Sequence, residues 1–272
     1  MARFLLIIII FLFYLWTSTN GKLTFDLNIK TTDSFPKKYN YNFLVKALVS
    51  HQLNLPIKVP EDLKNLSNPY DPKANKKYRE SSEYRLHDLI FYKGKLYLYT
   101  GLAPLITLYL PYYLLTKSYL PDNLAALIYM FGSFIWAILI LFYLKNKYFK
   151  QIGEWMLYLA ILVLGSLNIG GYILRFPETY HVAISSGCFF LTGAIYLTCI
   201  FNQKIKSNLN LLILISTFIG FSIASRPYFF LSGITLITLL FYKTFKEKNK
   251  YQLKSFLALV LPLTLILFLL AT

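Results

Sequence analysis

The chain has 272 residues, is 56% hydrophobic and 18% aromatic, and carries a formal net charge of +16 with a mean hydropathy of +0.50. Repeated apolar stretches of about 15–23 residues exclude an ordinary soluble domain and point to a polytopic membrane protein. The positive charge does not call for nucleic acid, because 11 of the 28 basic residues fall in the N-terminus and the short loops between apolar segments, where the positive-inside rule puts them.

Arg3 precedes the apolar stretch Phe4–Trp16. No small-x-small cleavage site follows in Thr17-Ser18-Thr19-Asn20, so residues 1–17 are expected to stay as a first transmembrane helix. Residues 18–120 then read as a long extracytoplasmic loop. Within it Phe43, Leu44, Ala47, Leu48 and Leu55 suggest a short amphipathic helix running into an extended piece. Asn68-Pro69-Tyr70-Asp71-Pro72 is turn chemistry, Asp71 included. Lys93-Gly94-Lys95 is a tight turn leading into the alternation Leu96-Tyr97-Leu98-Tyr99.

The next segment, Gly101–Thr116, decides the topology. If it crosses the membrane, the short segments put 4 basic residues inside and 10 outside; if it does not, they put 11 inside and 2 outside. The second arrangement fits the rule, and Pro104, Pro111 and the tyrosines at 109, 112 and 113 suit an interfacial helix over 101–116. The remaining spans are expected at Leu124–Leu144, Ile152–Leu174, Tyr180–Phe201, Leu209–Ala224, Tyr228–Tyr242 and Phe256–Ala271, with Pro227 breaking what would otherwise be one overlong helix.

The expected architecture is therefore an all-α integral membrane protein. It has about seven transmembrane helices, a large structured outer loop between the first and second, and a bundle over 121–272. A cytoplasmic N-terminus follows from the lysines, and the expected location is the inner (cytoplasmic) membrane. The apolar run that closes the chain suggests a bundle incomplete at its C-terminus. Cys188 and Cys199 lie eleven residues apart in one helix, roughly 16 Å along its axis, too far for a disulfide.

On this map ten of the twelve acidic residues share the outer side, Asp122 and Glu178 among them, and only Glu154 and Glu247 lie inside. A membrane protein that gathers its carboxylates on one face is expected to bind or transform something there. Nucleotide loops, zinc spacings and nucleophile elbows are absent from the sequence.

Several stretches carry a resemblance. They are Ala47–Leu55, the Asn68–Pro72 turn, His87-Asp88, Tyr92–Pro104, Tyr180-His181-Val182-Ala183-Ile184 with Gly187, and Gly220–Pro227. In order and spacing they resemble a bacterial multi-pass family grouped with the GT-C superfamily of membrane glycosyltransferases. The resemblance implies transfer of a sugar from a polyprenyl-phosphate donor to an envelope glycan, lipid or protein at the extracytoplasmic face, with inversion. It implies a first-loop carboxylate as general base and a basic residue near the outer helix ends on the donor phosphate. This sequence departs from the family pattern at Lys37–Asn42, which holds no carboxylate, and at Val182, where Glu is common.

Asp33, just outside the first helix, and Asp88, paired with His87, are the alternative bases; the His87-Asp88 pair could also hold a divalent cation. Arg226, a charge at the membrane boundary before Pro227, suits phosphate oxygens. Arg175 and Glu178 flank Phe176-Pro177 in a short outer turn, and His181 opens the following helix; all three are candidate substrate contacts. The expected partners are a polyprenyl-phosphate-linked sugar and membrane lipid. Two other readings stand beside the enzyme: a non-catalytic or truncated relative that binds lipid-linked glycan, and a transporter. The second is disfavoured by helix centres almost free of charge and by the lack of a repeat.

Overall fold

The computed structural model describes residues 2–27, 29, 39–80, 89–99, 101–202, 208–246 and 252–271. The fold is almost wholly helical, with one two-stranded hairpin. Helix α1 (Ala2–Ser18) ends where its carbonyls find other donors: the Thr17 and Thr19 hydroxyls donate back to the carbonyls of Phe13 and Leu15, at 2.8 and 2.7 Å. The amides of Gly21 and Asn20 bond to the carbonyls of Trp16 and Thr17, with Asn20 left-handed at φ 54°. That is a Schellman stop.

The amphipathic helix expected near 43–48 is α2 (Asn40–Val49), and it is buried along most of its length. It too ends in a Schellman motif, with His51 as the left-handed residue at φ 56°. Short helices α3 (Glu61–Lys64) and α4 (Lys76–Glu80) follow. Strands β1 (Leu89–Tyr92) and β2 (Lys95–Leu98) pair antiparallel through the expected turn. Lys93 and Gly94 both have positive φ there, as a two-residue hairpin turn requires. Leu55 extends this unit by donating its amide to the Leu96 carbonyl at 2.8 Å.

The apolar segment after the hairpin is a π-helical turn, Leu105–Tyr109, continued by α5 (Leu110–Thr116). Pro111 has no N–H to give the Thr107 carbonyl, and the wide turn sits at that gap. Both ends of the segment are tied to neighbouring residues of α2. Tyr41 donates its hydroxyl to the Gly101 carbonyl at 2.6 Å, and Asn42 exchanges two bonds with the Leu120 backbone at 2.8 and 3.2 Å. Gly101 itself lies against the Ala224 and Ser225 carbonyls so closely that a Cβ would sit 2.0 Å from an oxygen.

The bundle consists of α6 (Asp122–Tyr148), α7 (Glu154–Ser166), α8 (Gly170–Arg175), α9 (Thr179–Phe201), α10 (Leu209–Ser225), α11 (Phe230–Lys246) and α12 (Gln252–Ala271). Of these, α6 and α9 are long and apolar enough to cross a membrane; α1, the 105–116 segment, α7, α10 and much of α12 are apolar but shorter. The helix expected over 152–174 is broken into α7 and α8. Asn168 causes the break: its side chain donates to the buried Tyr14 hydroxyl at 3.0 Å and accepts from the Gly170 amide at 2.6 Å. The break at Pro227 appears as expected, with Arg226 extended at φ −155° before a single 3-10 turn.

Contacts at the helix ends fix the directions. At one end Glu154 pairs with both Arg3 and Lys145, and Lys243 donates to the Phe201 carbonyl at 2.9 Å. At the other, Asn123 donates to the Ser18 carbonyl at 3.2 Å and the Ser186 and Ser225 hydroxyls meet at 2.9 Å. Helices α6 and α9 run parallel, with Tyr129 against Phe189 and Trp136 against Tyr196. One core joins α1, α2, α6, α8 and the start of α9; a second joins the end of α9 with α10, α11 and α12.

Candidate functional site

A polar cleft of about 410 Å³ opens at the end of the bundle that carries Asn20, Asn123 and Arg175. Four stretches of chain build it: the stop of α1 with Ser18, Asn20 and Asp26; Tyr39 before α2; Pro121, Asp122 and Asn123 at the start of α6; and Arg175 to Glu178 between α8 and α9. Each is a helix terminus or its flank, so the polar side chains come together because four helix ends meet at one level.

Asp122 is the most buried carboxylate among the described residues, 1% exposed. The Tyr109 hydroxyl donates to one of its oxygens at 2.6 Å and the Tyr39 amide to the other at 3.3 Å. Its position in the first turn of α6 also lets the helix dipole favour the charge. Tyr39 is held at φ 72°, a region that costs a bulky residue free energy and marks constrained sites. Burial, followed by the charges of Asp122 and Asp26, raises the Tyr39 phenol above its ordinary pKa.

Arg175 donates to the Asn20 side-chain oxygen, which anchors its guanidinium to the stop of α1. Asp26, Arg175 and Glu178 are exposed and face the cleft, whereas Asp122 forms its floor. The lining thus holds three carboxylates and one guanidinium. Among the described residues no three His, Cys, Asp or Glu side chains converge as a metal site.

The expected site residues divide into three groups. Arg175 and Glu178 line the cleft together. Arg226 and His181 form a separate cluster: the Arg226 guanidinium lies 3.9 Å from the Tyr180 ring centre, and His181 packs edge-on against Tyr180 and Tyr172. Arg226 is only 7% exposed and donates to the Tyr180 carbonyl at 3.4 Å, so it does not reach the cleft lining. Asp33, His87 and Asp88 lie outside the described residues.

Asp26, Asp122, Tyr39, Asn20 and Asn123 are additions that the sequence did not single out. The available signal was positional: on the expected topology Asp26 and Asp122 are acids of the outer side, next to the expected ends of the first and second spans. No family model matches the chain, and neither a curated protein nor a solved structure does.

Proposed function

We propose that the protein is a multi-pass membrane glycosyltransferase that uses a polyprenyl-phosphate sugar at the cleft on its outer face. The observation that carries this reading is the meeting of a first-loop carboxylate, Asp26, with a guanidinium, Arg175, in one cleft at a bundle end. In this reaction Asp26 takes the proton of an acceptor hydroxyl as its oxygen bonds the anomeric carbon. The bond from that carbon to the phosphate oxygen breaks, and the polyprenyl phosphate leaves with the electron pair. Arg175 stabilises the charge on the leaving phosphate, a role suited to its planar set of donors. Glu178, Asn20 and Asn123 supply hydrogen-bonding groups for sugar hydroxyls.

The membrane part of the reading draws on α6 and α9 and on the outward-facing apolar side chains of the shorter helices, such as Leu5, Leu115 and Leu159, all more than half exposed. Exposed apolar surface of this extent is unfavourable in water and ordinary in lipid. Seven spans, the inner membrane and a cytoplasmic N-terminus belong to the same proposal. A binding-only reading draws on the carboxylate excess of the lining, which suits sugar hydroxyls better than phosphate.

Reconstituted protein assayed on a panel of polyprenyl-phosphate sugars separates the two. Transfer is expected to fall about 10²–10⁴-fold with Asp26→Asn and to weaken with Arg175→Gln. Wild type that binds lipid-linked glycan but transfers from no donor overturns the enzyme in favour of the binder.

A further inference from the structure

The opposite end of the bundle carries a second feature that the proposed reaction does not use. Asn146, Lys147, Lys150 and Asn202 line a hollow of about 500 Å³, and Lys147, Tyr148, Phe149, Lys150, Gln151 and Ile152 line an adjoining one of about 480 Å³. Phe149 and Ile152 also form the mouth of a narrower groove, about 210 Å³, that runs between α6 and α7. Its walls are Leu141, Leu144, Met156, Leu157 and Ala160, with Lys145 at the rim, and almost all of its lining is apolar. A cationic recess therefore continues directly into a slot lined by hydrocarbon.

Among the described residues neither Lys147 nor Lys150 has a carboxylate partner, and the acid closest in sequence, Glu154, is held by both Arg3 and Lys145. Lys147 is exposed, and its ammonium donates to the Tyr143 hydroxyl at 3.0 Å and lies 5.4 and 5.1 Å from the ring centres of Tyr143 and Tyr148.

We infer that this end of the α6–α7 pair is a binding site for an anionic phospholipid. Its headgroup phosphate sits on Lys147 and Lys150, and one acyl chain lies in the groove between Leu141 and Ala160. Charge complementarity selects an anionic over a zwitterionic headgroup, and the groove selects a lipid over a soluble phosphate. The inference rests on the membrane reading above but not on sugar transfer.

The test is native mass spectrometry of the full chain in mild detergent, titrated with phosphatidylglycerol or with phosphatidylcholine of the same chains. Wild type is expected to retain phosphatidylglycerol selectively. Replacing both lysines, Lys147→Gln with Lys150→Gln, is expected to weaken retention about 30-fold. Ala160→Phe, which fills the groove without touching a charge, is expected to weaken it as well, and excess inorganic phosphate is expected not to displace the lipid. Equal retention of the two lipids, or unchanged retention in both variants, overturns the site. Displacement by phosphate with Ala160→Phe unaffected does the same, leaving a simple anion site. A failed transfer assay leaves this readout intact, so the two proposals fail separately.

Discussion

Asp122 and Tyr39 show how one residue's environment is set by the ends of several helices. The Tyr39 amide helps to hold Asp122 in place, while burial and the Asp122 and Asp26 charges disfavour ionisation of the Tyr39 phenol. The phenol therefore titrates higher in the folded protein than its ordinary value of 10.0. Between those two values the folded state binds more protons than the unfolded one, so stability falls as pH rises. The contribution is complete below about pH 10 and disappears as pH climbs through the folded value. Unfolding temperature measured against pH is expected to be flat in this respect through neutrality and to drop above about pH 10, with Tyr39→Phe removing that alkaline loss; an unchanged profile in the variant would remove Tyr39 from the account. None of this is legible in Lys38-Tyr39-Asn40, a polar stretch with no pattern. The positive φ of Tyr39 and its approach to residue 122 are tertiary facts. Arg175 and Glu178 were legible because a short charged turn between two long apolar runs can only lie at a bundle end.

At the scale of the element, periodicity and proline located most helices, and buried hydroxyl and amide groups decided what it missed. The α7–α8 break depends on Asn168 finding Tyr14 of α1, more than 150 positions away in sequence. Helix α12 poses the complementary case, since it continues past Pro262. The fully buried Ser216 of α10 inserts its hydroxyl beside that proline, donating to the Leu259 carbonyl at 2.5 Å and accepting from the Leu263 amide at 3.2 Å. One side chain thus bridges the backbone pair that would bond directly in an unbroken helix, a means by which apolar surroundings tolerate a helix proline. Ser216→Ala is expected to cost about 1–3 kcal/mol by leaving buried backbone groups unpartnered. In a Pro262→Ala background, where the helix can close its own bonds, the same change is expected to cost less. A thermodynamic double-mutant cycle reads this as a coupling of about 0.5–3 kcal/mol. Additivity of the two substitutions would show that the hydroxyl does not compensate for the proline.

For the whole molecule, the lysine count and the end-to-end contacts bear on the same question from independent directions. The count, 11 against 2, needs the 101–116 segment to stay on one side. The hydrogen bonds need it too, since adjacent residues Tyr41 and Asn42 hold Gly101 and Leu120 respectively, so the chain leaves and returns at one level of the bundle. A crossing helix would separate those two residues by about 30 Å of hydrocarbon, beyond the reach of neighbouring side chains. The segment instead packs beside α6, with Thr107 and the Tyr129 hydroxyl at 2.7 Å, and leaves Leu114 and Leu115 exposed on its outer side. Single reporter cysteines test this in intact cells with a membrane-impermeant thiol reagent. Tyr70→Cys and Lys117→Cys, placed before and after the segment, are expected to label together from outside, and Lys150→Cys only after the cells are opened. If Lys117→Cys labels only after the cells are opened and Lys150→Cys labels from outside, the segment crosses. Arg3 and Lys145 would then lie on opposite faces, against their shared pairing with Glu154, and Asp26 would be parted from Arg175 although both line one cleft.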